Sequence, residues 1–388
     1  MGISVCFVNP TRRIQSGLQG LANSMAARGH KVIMLTPKRL ERVDADALAV
    51  DQIIVYPSVF IPKIRYTLPL FFSQLRTLRR VVRSQEVPLV CVYKYSYPTA
   101  WVPVLYARIA RVPVLLITDS FPGISWRYGA RFVDFVGRLY SKSLGRMVLK
   151  LCDRVVVFGP ALMESARELG LDGSKLSIIP KGVDLDRFQP GCDPQGVRAS
   201  LGISPDEAML LNVGRLVPVK GVETLIEVTR RLSRDGFKVR TVIVGDGPYR
   251  DEYERMAAKV RGNVVFAGFR SDIPQLLAAC DVFVLPSISE GLPSALLEAA
   301  ACGKPLVASN TGAIPDVVIH GETGFLAEPG DVESFARHIK LLLDDAEKAA
   351  RFGARAREHV RRDFDWDAIA SRYEDLCVQA IQTKKASR

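Results

Sequence analysis

No Cys-x-x-Cys pair occurs in this chain, and its seven cysteines, Cys6, Cys91, Cys152, Cys192, Cys280, Cys302 and Cys377, are odd in number. That pattern argues against a disulfide framework or a zinc ribbon and reads as scattered small apolar residues in a reducing compartment. Met1 to Pro10 lacks a basic segment and a cleavage site, so no signal peptide is expected there. Long hydrophobic runs are missing too. The most apolar region, Val87 to Thr118, is broken by Lys94, Arg108 and Arg111 and reads as buried strands around a helix rather than a membrane span. Zinc-finger spacing, an RNP-type aromatic run and a long basic tail beyond Lys384, Lys385 and Arg388 are absent, which argues against nucleic acid as a partner.

The first half is also short of acid. Residues Met1 to Pro190 hold 27 Lys+Arg against 13 Asp+Glu, whereas the remainder has 26 against 28, so the whole net charge of +12 arises in the first half. There, Arg76, Arg79, Arg80 and Arg83 follow Leu68, Leu70, Phe71 and Phe72 in one helix-like segment. A second stretch, Arg131 to Arg154, interleaves Arg138, Lys142, Arg146 and Lys150 with Phe132, Phe135, Leu139, Leu144 and Val148. Basic amphipathic helices suit an anionic bilayer, where each surface cation is worth roughly 1 kcal/mol. The expectation is a cytoplasmic protein held peripherally on the inner face of the membrane. The competing reading packs these apolar faces on a sheet and leaves the cations to solvate the outside.

A chain of 388 residues exceeds what one hydrophobic core usually serves, so two domains are expected. Strand Ile3 to Asn9, a loop with Ser16-Gly17, helix Leu18 to Arg28 and strand Lys31 to Thr36 begin an alternation that continues to strand Lys175 to Ile179. It reads as a doubly wound parallel sheet. A linker from Pro180 leads to a second alternation starting at Met209. The expected divisions are 1–187, 188–363 and a closing helix within 364–388, with Trp366, Ile369, Tyr373 and Leu376 on one face.

The chemistry concentrates in the second half. Strand Asp281 to Leu285 and the turn Pro286-Ser287 lead to Glu290-Gly291-Leu292-Pro293, which opens a helix containing Glu298. Glu290 should therefore project from the carboxyl edge of a parallel sheet, where ligands of open α/β folds bind, with Gly291 and Pro293 preparing a helix N-terminus whose amides face the ligand. Strand Met209 to Val213 runs into Gly214-Arg215-Leu216-Val217-Pro218-Val219-Lys220-Gly221 and a further helix. Two fixed cations beside a helix N-terminus are what a diphosphate requires.

With those residues in place, the chain resembles a retaining glycosyltransferase of family 4 with the two-domain GT-B architecture. The matching motifs are Gly-Arg-Leu-x-x-x-Lys-Gly at Gly214 to Gly221, Val-Gly-Asp-Gly-Pro at Val244 to Pro248, the turn ending in Phe269, the Glu290/Glu298 pair, Asn310 to Asp316, and Gly321 to Leu326. The resemblance implies α/β folding with two Rossmann-like domains facing a cleft, the first binding acceptor and the second the nucleotide-sugar, and a last helix crossing back to the first. It also implies roles. Arg215 and Lys220 would neutralise the departing diphosphate. Glu290 would hold the donor sugar, Glu298 the ribose hydroxyls, and the backbone of Gly291, Leu292, Pro293 and Ser294 the sugar and phosphate. Gly214, Gly245 and the turn Phe269-Arg270 would complete the donor site, and Gly17 would let the first domain approach the diphosphate.

One departure from the family pattern matters. Many members carry a first-domain His in a His-Asp pair at the end of a central strand. Here the strand Val114 to Ile117 ends in Thr118-Asp119-Ser120, and the only first-domain histidine is His30, in a turn. Asp119 is either the polar group that replaces that His or a cap of its own turn. Phe121, Trp126 and Tyr128 either line an acceptor pocket or cover the sheet. Asp-x-Asp pairs at Asp44/Asp46, Asp184/Asp186, Asp363/Asp365 and Asp365/Asp367 do not follow core strands beside the site, so no metal and no cofactor is expected. The expected activity is retaining transfer of a sugar from a nucleotide donor, UDP favoured over GDP, to a lipid-linked or cell-envelope acceptor. A soluble transferase on a small acceptor and a catalytically silent sugar-nucleotide-binding protein are the alternatives.

Overall fold

The computed structural model describes all residues except 1, 12–13, 38–47, 62–65, 126–130, 192–195, 261–262 and 387–388. Asp44, Asp46, Cys192, Trp126 and Tyr128 lie outside the described residues.

Two parallel sheets organise two compact units. In the first unit, β1 (Ser4–Val8), β2 (Lys31–Pro37), β3 (Gln52–Tyr56), β6 (Leu89–Tyr93), β7 (Val114–Thr118), β8 (Arg154–Val157) and β9 (Leu176–Ile178) lie in the order β3-β2-β1-β6-β7-β8-β9. A two-stranded antiparallel ribbon, β4 (Ser58–Ile61) with β5 (Tyr66–Pro69), is separate from that sheet. β1, β6 and β7 are almost fully buried, which fits their near-continuous apolar sequence: a parallel sheet covered on both faces needs no alternation. The six described cysteines are buried thiols outside any disulfide, and burial pushes the Cys6 thiol up to about 12, so they behave as small apolar groups.

The second unit contains β10 (Ala208–Val213), β11 (Val239–Val244), β12 (Val264–Gly268), β13 (Val282–Leu285), β14 (Leu306–Ser309) and β15 (Gly324–Ala327), in the order β12-β11-β10-β13-β14-β15. That order reverses between β10 and β13. In a doubly wound sheet such a reversal opens a crevice at the carboxyl ends of the two strands. Helices Val222–Arg234 and Val332–Leu343 close one face, with Leu225, Val228, Phe335 and Ile339 buried against Leu210 and Ile243.

The chain leaves the first unit after Gly182 and returns to it at Trp366. The outgoing and returning segments run side by side, since Val183 pairs with Asp365 and its amide donates to the Phe364 carbonyl at 2.9 Å. The last helix, Trp366–Ala386, buries Ile369, Tyr373 and Leu376 in the first unit. Trp366 sits where side chains are absent: a Cβ on Gly20 would fall 2.2 Å from its Cε2, and one on Gly182 2.6 Å from its Cδ2.

Three sequence expectations shift. The first helix, Ser16–Ala27, starts early enough to include Ser16 and Gly17, so these are not loop residues. Leu68 belongs to β5 and Leu70 precedes helix Phe71–Ser84, so they do not share that helix with the arginines. The 131–154 stretch is not one helix. It runs as helix Arg131–Tyr140, a π turn Ser141–Gly145 and helix Arg146–Leu151, and Arg154 begins β8. Its second half buries Val148 and Leu149 while its first half buries nothing. Among the described residues, no helix is long and apolar enough to cross a membrane.

Candidate active site

The crevice of the second unit is framed by the loops that follow β10, β13 and β14, and hydrogen bonds tie these loops to one another. The Ile288 amide donates to the Val219 carbonyl at 2.8 Å, and the Ala313 amide to the Gly291 carbonyl at 3.0 Å. Below them, Asn212 Nδ2 donates to the Val284 carbonyl at 2.8 Å and pins β10 to β13. Two glycines allow this crowding. Gly221 has φ +64° and a Cβ there would lie 2.0 Å from the Pro286 carbonyl oxygen; Gly312 has φ +59° and its Cβ would lie 2.0 Å from the Glu290 carbonyl oxygen. Any other residue meets both a steric clash and an unfavourable backbone region.

At the centre, Lys220 Nζ forms an ion pair with Glu290 Oε1, and Ser287 Oγ donates to the same oxygen at 2.8 Å. Glu290 is 5% exposed, so its carboxylate is fixed in position by a cation and a hydroxyl rather than by water. Leu292 and Pro293 are buried, and Pro293 precedes helix Ser294–Ala301, whose first amides have no partner within the helix. Glu298 stands on that helix, half-buried. The structure thus places Lys220, Glu290, Gly291, Leu292, Pro293, Ser294 and Glu298 in one loop-and-helix assembly.

The remaining candidates lie around it. Arg215 is exposed, on the loop that follows β10. Gly214 and Gly245 touch, since a Cβ on Gly245 would fall 1.8 Å from the Gly214 carbonyl oxygen, and the Leu216 amide donates to the Asp246 carbonyl at 3.0 Å. Phe269, beyond β12, is 77% exposed and presents an open aromatic face. The Arg270 guanidinium is engaged by Asp272, its Nε 2.8 Å from Oδ1.

In the first unit, Asp119 follows β7 and its carboxylate pairs with Lys94 Nζ at 2.8 Å while accepting from Ser120 Oγ at 3.1 Å. Burial pushes its pKa up, but the Lys94 and Lys181 charges and these hydrogen bonds outweigh burial and hold it below the usual carboxylate range. Asp119 is therefore a fixed anion and not a proton acceptor at neutral pH. Gly17 lies close by in this unit: a Cβ there would be 3.0 Å from the Tyr93 hydroxyl and 3.5 Å from Lys181 Cδ. His30 is buried; its Nδ1 accepts from the Ile3 amide at 3.2 Å and its Nε2 lies 3.4 Å from Glu374. Phe121 is fully buried and packs on Tyr95, so it covers the sheet rather than lining an open pocket.

Sequence reasoning missed Lys94, which it treated only as a charge interrupting an apolar run. Lys94 sits at the end of β6 with φ +59°, a left-handed conformation rare outside glycine. A backbone outlier at the carboxyl edge of a parallel sheet is a recognised marker of function, and a charged residue placed directly after a five-residue apolar strand was the available signal.

Asp184 Oδ1 accepts from the Arg187 amide at 2.9 Å, and Asp363 pairs with Arg362 and His359.

Comparison with known proteins fits this geometry. The Glycosyltransferase Family 4 domain matches residues 14–187 and the Glycosyl transferases group 1 domain residues 195–359, which together span nearly the whole chain. The chain belongs to glycosyltransferase family 4. It is similar to N-acetyl-alpha-D-glucosaminyl L-malate synthase of Bacillus anthracis, 26% identical over 377 residues and 95% of each chain. It is also similar to the GDP-mannose-dependent alpha-(1-6)-phosphatidylinositol monomannoside mannosyltransferase of Mycobacterium tuberculosis, 34% identical over 219 residues. That alignment spans 52% of this chain and 56% of the mannosyltransferase. Anabaena HepE, solved in complex with UDP and glucose, superposes with a TM-score of 0.80 at 20% identity, over 97% of this chain and 100% of HepE. The shared fold is GT-B.

Proposed function

We propose that this family 4 protein transfers a sugar from a nucleotide-sugar donor to the hydroxyl of a lipid-linked or cell-envelope glycan acceptor, with retention of anomeric configuration and without a metal ion. The observation that carries the reading is the buried Glu290, held by Lys220 and Ser287 at the switch point of the second sheet, beside the N-terminus of helix Ser294–Ala301.

In this reaction the bond between the sugar's anomeric carbon and the distal phosphate oxygen breaks, a bond from the acceptor oxygen to that carbon forms on the same face, and the acceptor proton passes to the departing phosphate. Negative charge grows on the diphosphate. Lys220, Arg215 and the positive dipole end of the helix are the groups that neutralise it, so a divalent cation is not needed for that task. Glu290 accepts hydrogen bonds from the donor sugar, Glu298 from the ribose, and Phe269 with the backbone of Arg270 meets the base. Asp119 and Lys94 serve the acceptor or the sugar in place of the absent histidine. The preference for UDP rests on the Glu-Gly-Leu-Pro-Ser form of the loop, and the basic first half favours an acceptor presented at the cytoplasmic face of a membrane.

A second reading is favoured by one observation. The N-acetyl-alpha-D-glucosaminyl L-malate synthase of Bacillus anthracis aligns over 95% of both chains, and its name identifies a small acid, L-malate, as the moiety joined to the sugar; on that reading the acceptor is a soluble molecule.

The test is transfer from a panel of labelled UDP- and GDP-sugars, with EDTA present, into a membrane lipid extract and, separately, into small hydroxy acids. Label in lipid from a UDP-sugar supports the proposal. Label only in the small acids supports the second reading, and transfer only on addition of a divalent cation contradicts metal independence.

A further inference from the structure

We propose that helix Arg131–Tyr140 is the segment of the first unit that lies in an anionic bilayer, its apolar stripe seated among the acyl chains. This rests on the reading that the acceptor is lipid-linked, and it adds which residues meet the lipid.

The helix carries a stripe that none of the described residues covers. None of its ten residues is buried. Phe132 is 77% exposed, Phe135 63%, Val136 46% and Leu139 59%. Their spacing of three, one and three residues puts them on one face of a helix. In a globular protein that spacing normally faces the core. Here the opposite side is the attached one. A Cβ on Gly123 would fall 2.2 Å from the Asp134 carbonyl oxygen and 2.3 Å from the Arg138 nitrogen, and the site of a Cβ on Gly137 is 3.1 Å from the Gly123 nitrogen. Arg138 Nε donates to the Gly123 carbonyl at 3.2 Å. At the carboxyl end, Tyr140 stacks on Tyr95 and Trp101, with centroids 5.8 Å and 6.1 Å away, and its hydroxyl donates to the Tyr95 carbonyl at 2.7 Å. A pair of glycines and a tyrosine anchor therefore hold the helix down by its small-residue side and turn the phenylalanines outward.

Charge identifies the occupant. Arg131 and Arg138, seven residues apart, border the stripe, and exposed Lys142, Arg146 and Lys150 continue on the following turns; Asp134, on the attached side, is the helix's one acid. A second copy docking stripe to stripe would bring two such cationic borders together. A bilayer with anionic headgroups instead gives the stripe an apolar interior and the cations a partner, which is the chemistry of an interfacial helix. Ten residues make a helix about 15 Å long, half of the roughly 30 Å hydrocarbon core, so it lies in the interface and does not cross.

The experiment is flotation of the full chain with phosphatidylcholine vesicles and with vesicles containing phosphatidylglycerol, comparing wild type with the triple substitution Phe132→Ser, Phe135→Ser and Leu139→Ser. Wild type should bind the anionic vesicles at least about tenfold more tightly than neutral ones, and the triple variant should lose about tenfold or more. These side chains are exposed, so its Tm should match wild type. A Phe135→Trp variant should show fluorescence quenched by brominated acyl chains. Equal vesicle binding by wild type and triple variant, or no binding by wild type, overturns the proposal. So does a wild-type dimer that the triple variant dissociates without any change in vesicle binding. Transfer to a detergent-dispersed acceptor separates this from the functional reading: vesicle binding as described with no transfer refutes the transferase reading alone, and transfer without vesicle binding refutes the docking helix alone.

Discussion

Each unit sets a lysine against a carboxylate at the carboxyl edge of its parallel sheet, Lys220 with Glu290 in the second and Lys94 with Asp119 in the first, but different features hold them. Lys220 and Glu290 come from loops on either side of the strand-order reversal, and two left-handed glycines, Gly221 and Gly312, let those loops touch. Lys94 and Asp119 come from adjacent strands β6 and β7, and the left-handed position is taken by the lysine itself. A lysine in that region costs of order 1–3 kcal/mol, which a fold retains only where surrounding contacts fix it. In the proposed function the second unit acts through motif loops and the first through Lys94, Asp119 and an exposed helix. Residues 1–190 hold 27 basic against 13 acidic side chains, an excess with no counterpart in the remainder.

The comparison breaks most decisively at the diphosphate cations. Arg215→Ala with Lys220→Ala should lower kcat by about 100-fold or more, since fixed charge at the leaving group is worth roughly 3–4 kcal/mol; steady-state transfer at saturating donor reads this. Next come the glycines. Gly312→Ala forces a Cβ into the Glu290 carbonyl and should cost about 2–4 kcal/mol in chemical denaturation, with donor binding lost in the fraction that stays folded.

A smaller effect is expected at the first unit's pair. Lys94→Ala and Asp119→Asn should each reduce kcat/KM for acceptor by about tenfold, with UDP affinity by calorimetry unchanged. That split separates a positioning role from damage to the donor site. Lys94→Gly, which relieves the backbone but removes the partner of Asp119, should destabilise the fold less than Lys94→Ala while losing activity equally.

The smallest effect distinguishes the units by pH. His338 is buried and stacked on Phe325 at 4.6 Å, and burial lowers its pKa to about 4. Its neutral form is favoured only when folded, so the stability it contributes is complete above about 6.5 and is lost as pH falls toward 4, by about 1–2 kcal/mol between pH 7 and 5. Asp119 is shifted down as well, but from the ordinary carboxylate range, so its contribution is in place above that range and survives to lower pH, until pH falls through its lowered folded value. Hydrogen exchange followed separately in the two units should show the second loosening first on acidification, and His338→Phe should remove that difference.

Much of the second unit was legible in the sequence, because its loops follow strands whose apolar runs are unmistakable and its glycines and prolines mark the turns that crowd the crevice. The Lys220–Glu290 ion pair was not, since the two residues are seventy positions apart and no spacing rule links them. In the first unit, the helix-like periodicity of residues 131–154 spoke for one amphipathic helix. A π turn, where Gly145 packs close to Tyr95 and Tyr140, divides it into an exposed half and a half-buried one. Periodicity reports which face is apolar and is silent about what covers it. Asp119 was found by its place after a strand, but its role turned on Lys94, whose unusual backbone leaves no mark in composition.

The most direct measurement is single-turnover transfer from UDP-sugar by wild type and Glu290→Gln, alongside UDP affinity and Tm for both. If Glu290 fixes the donor sugar at the crevice of the second unit, the substitution should slow transfer by about 100-fold or more, while UDP affinity changes by only a few-fold and the fold is retained. Equal turnover by the two proteins would contradict the account.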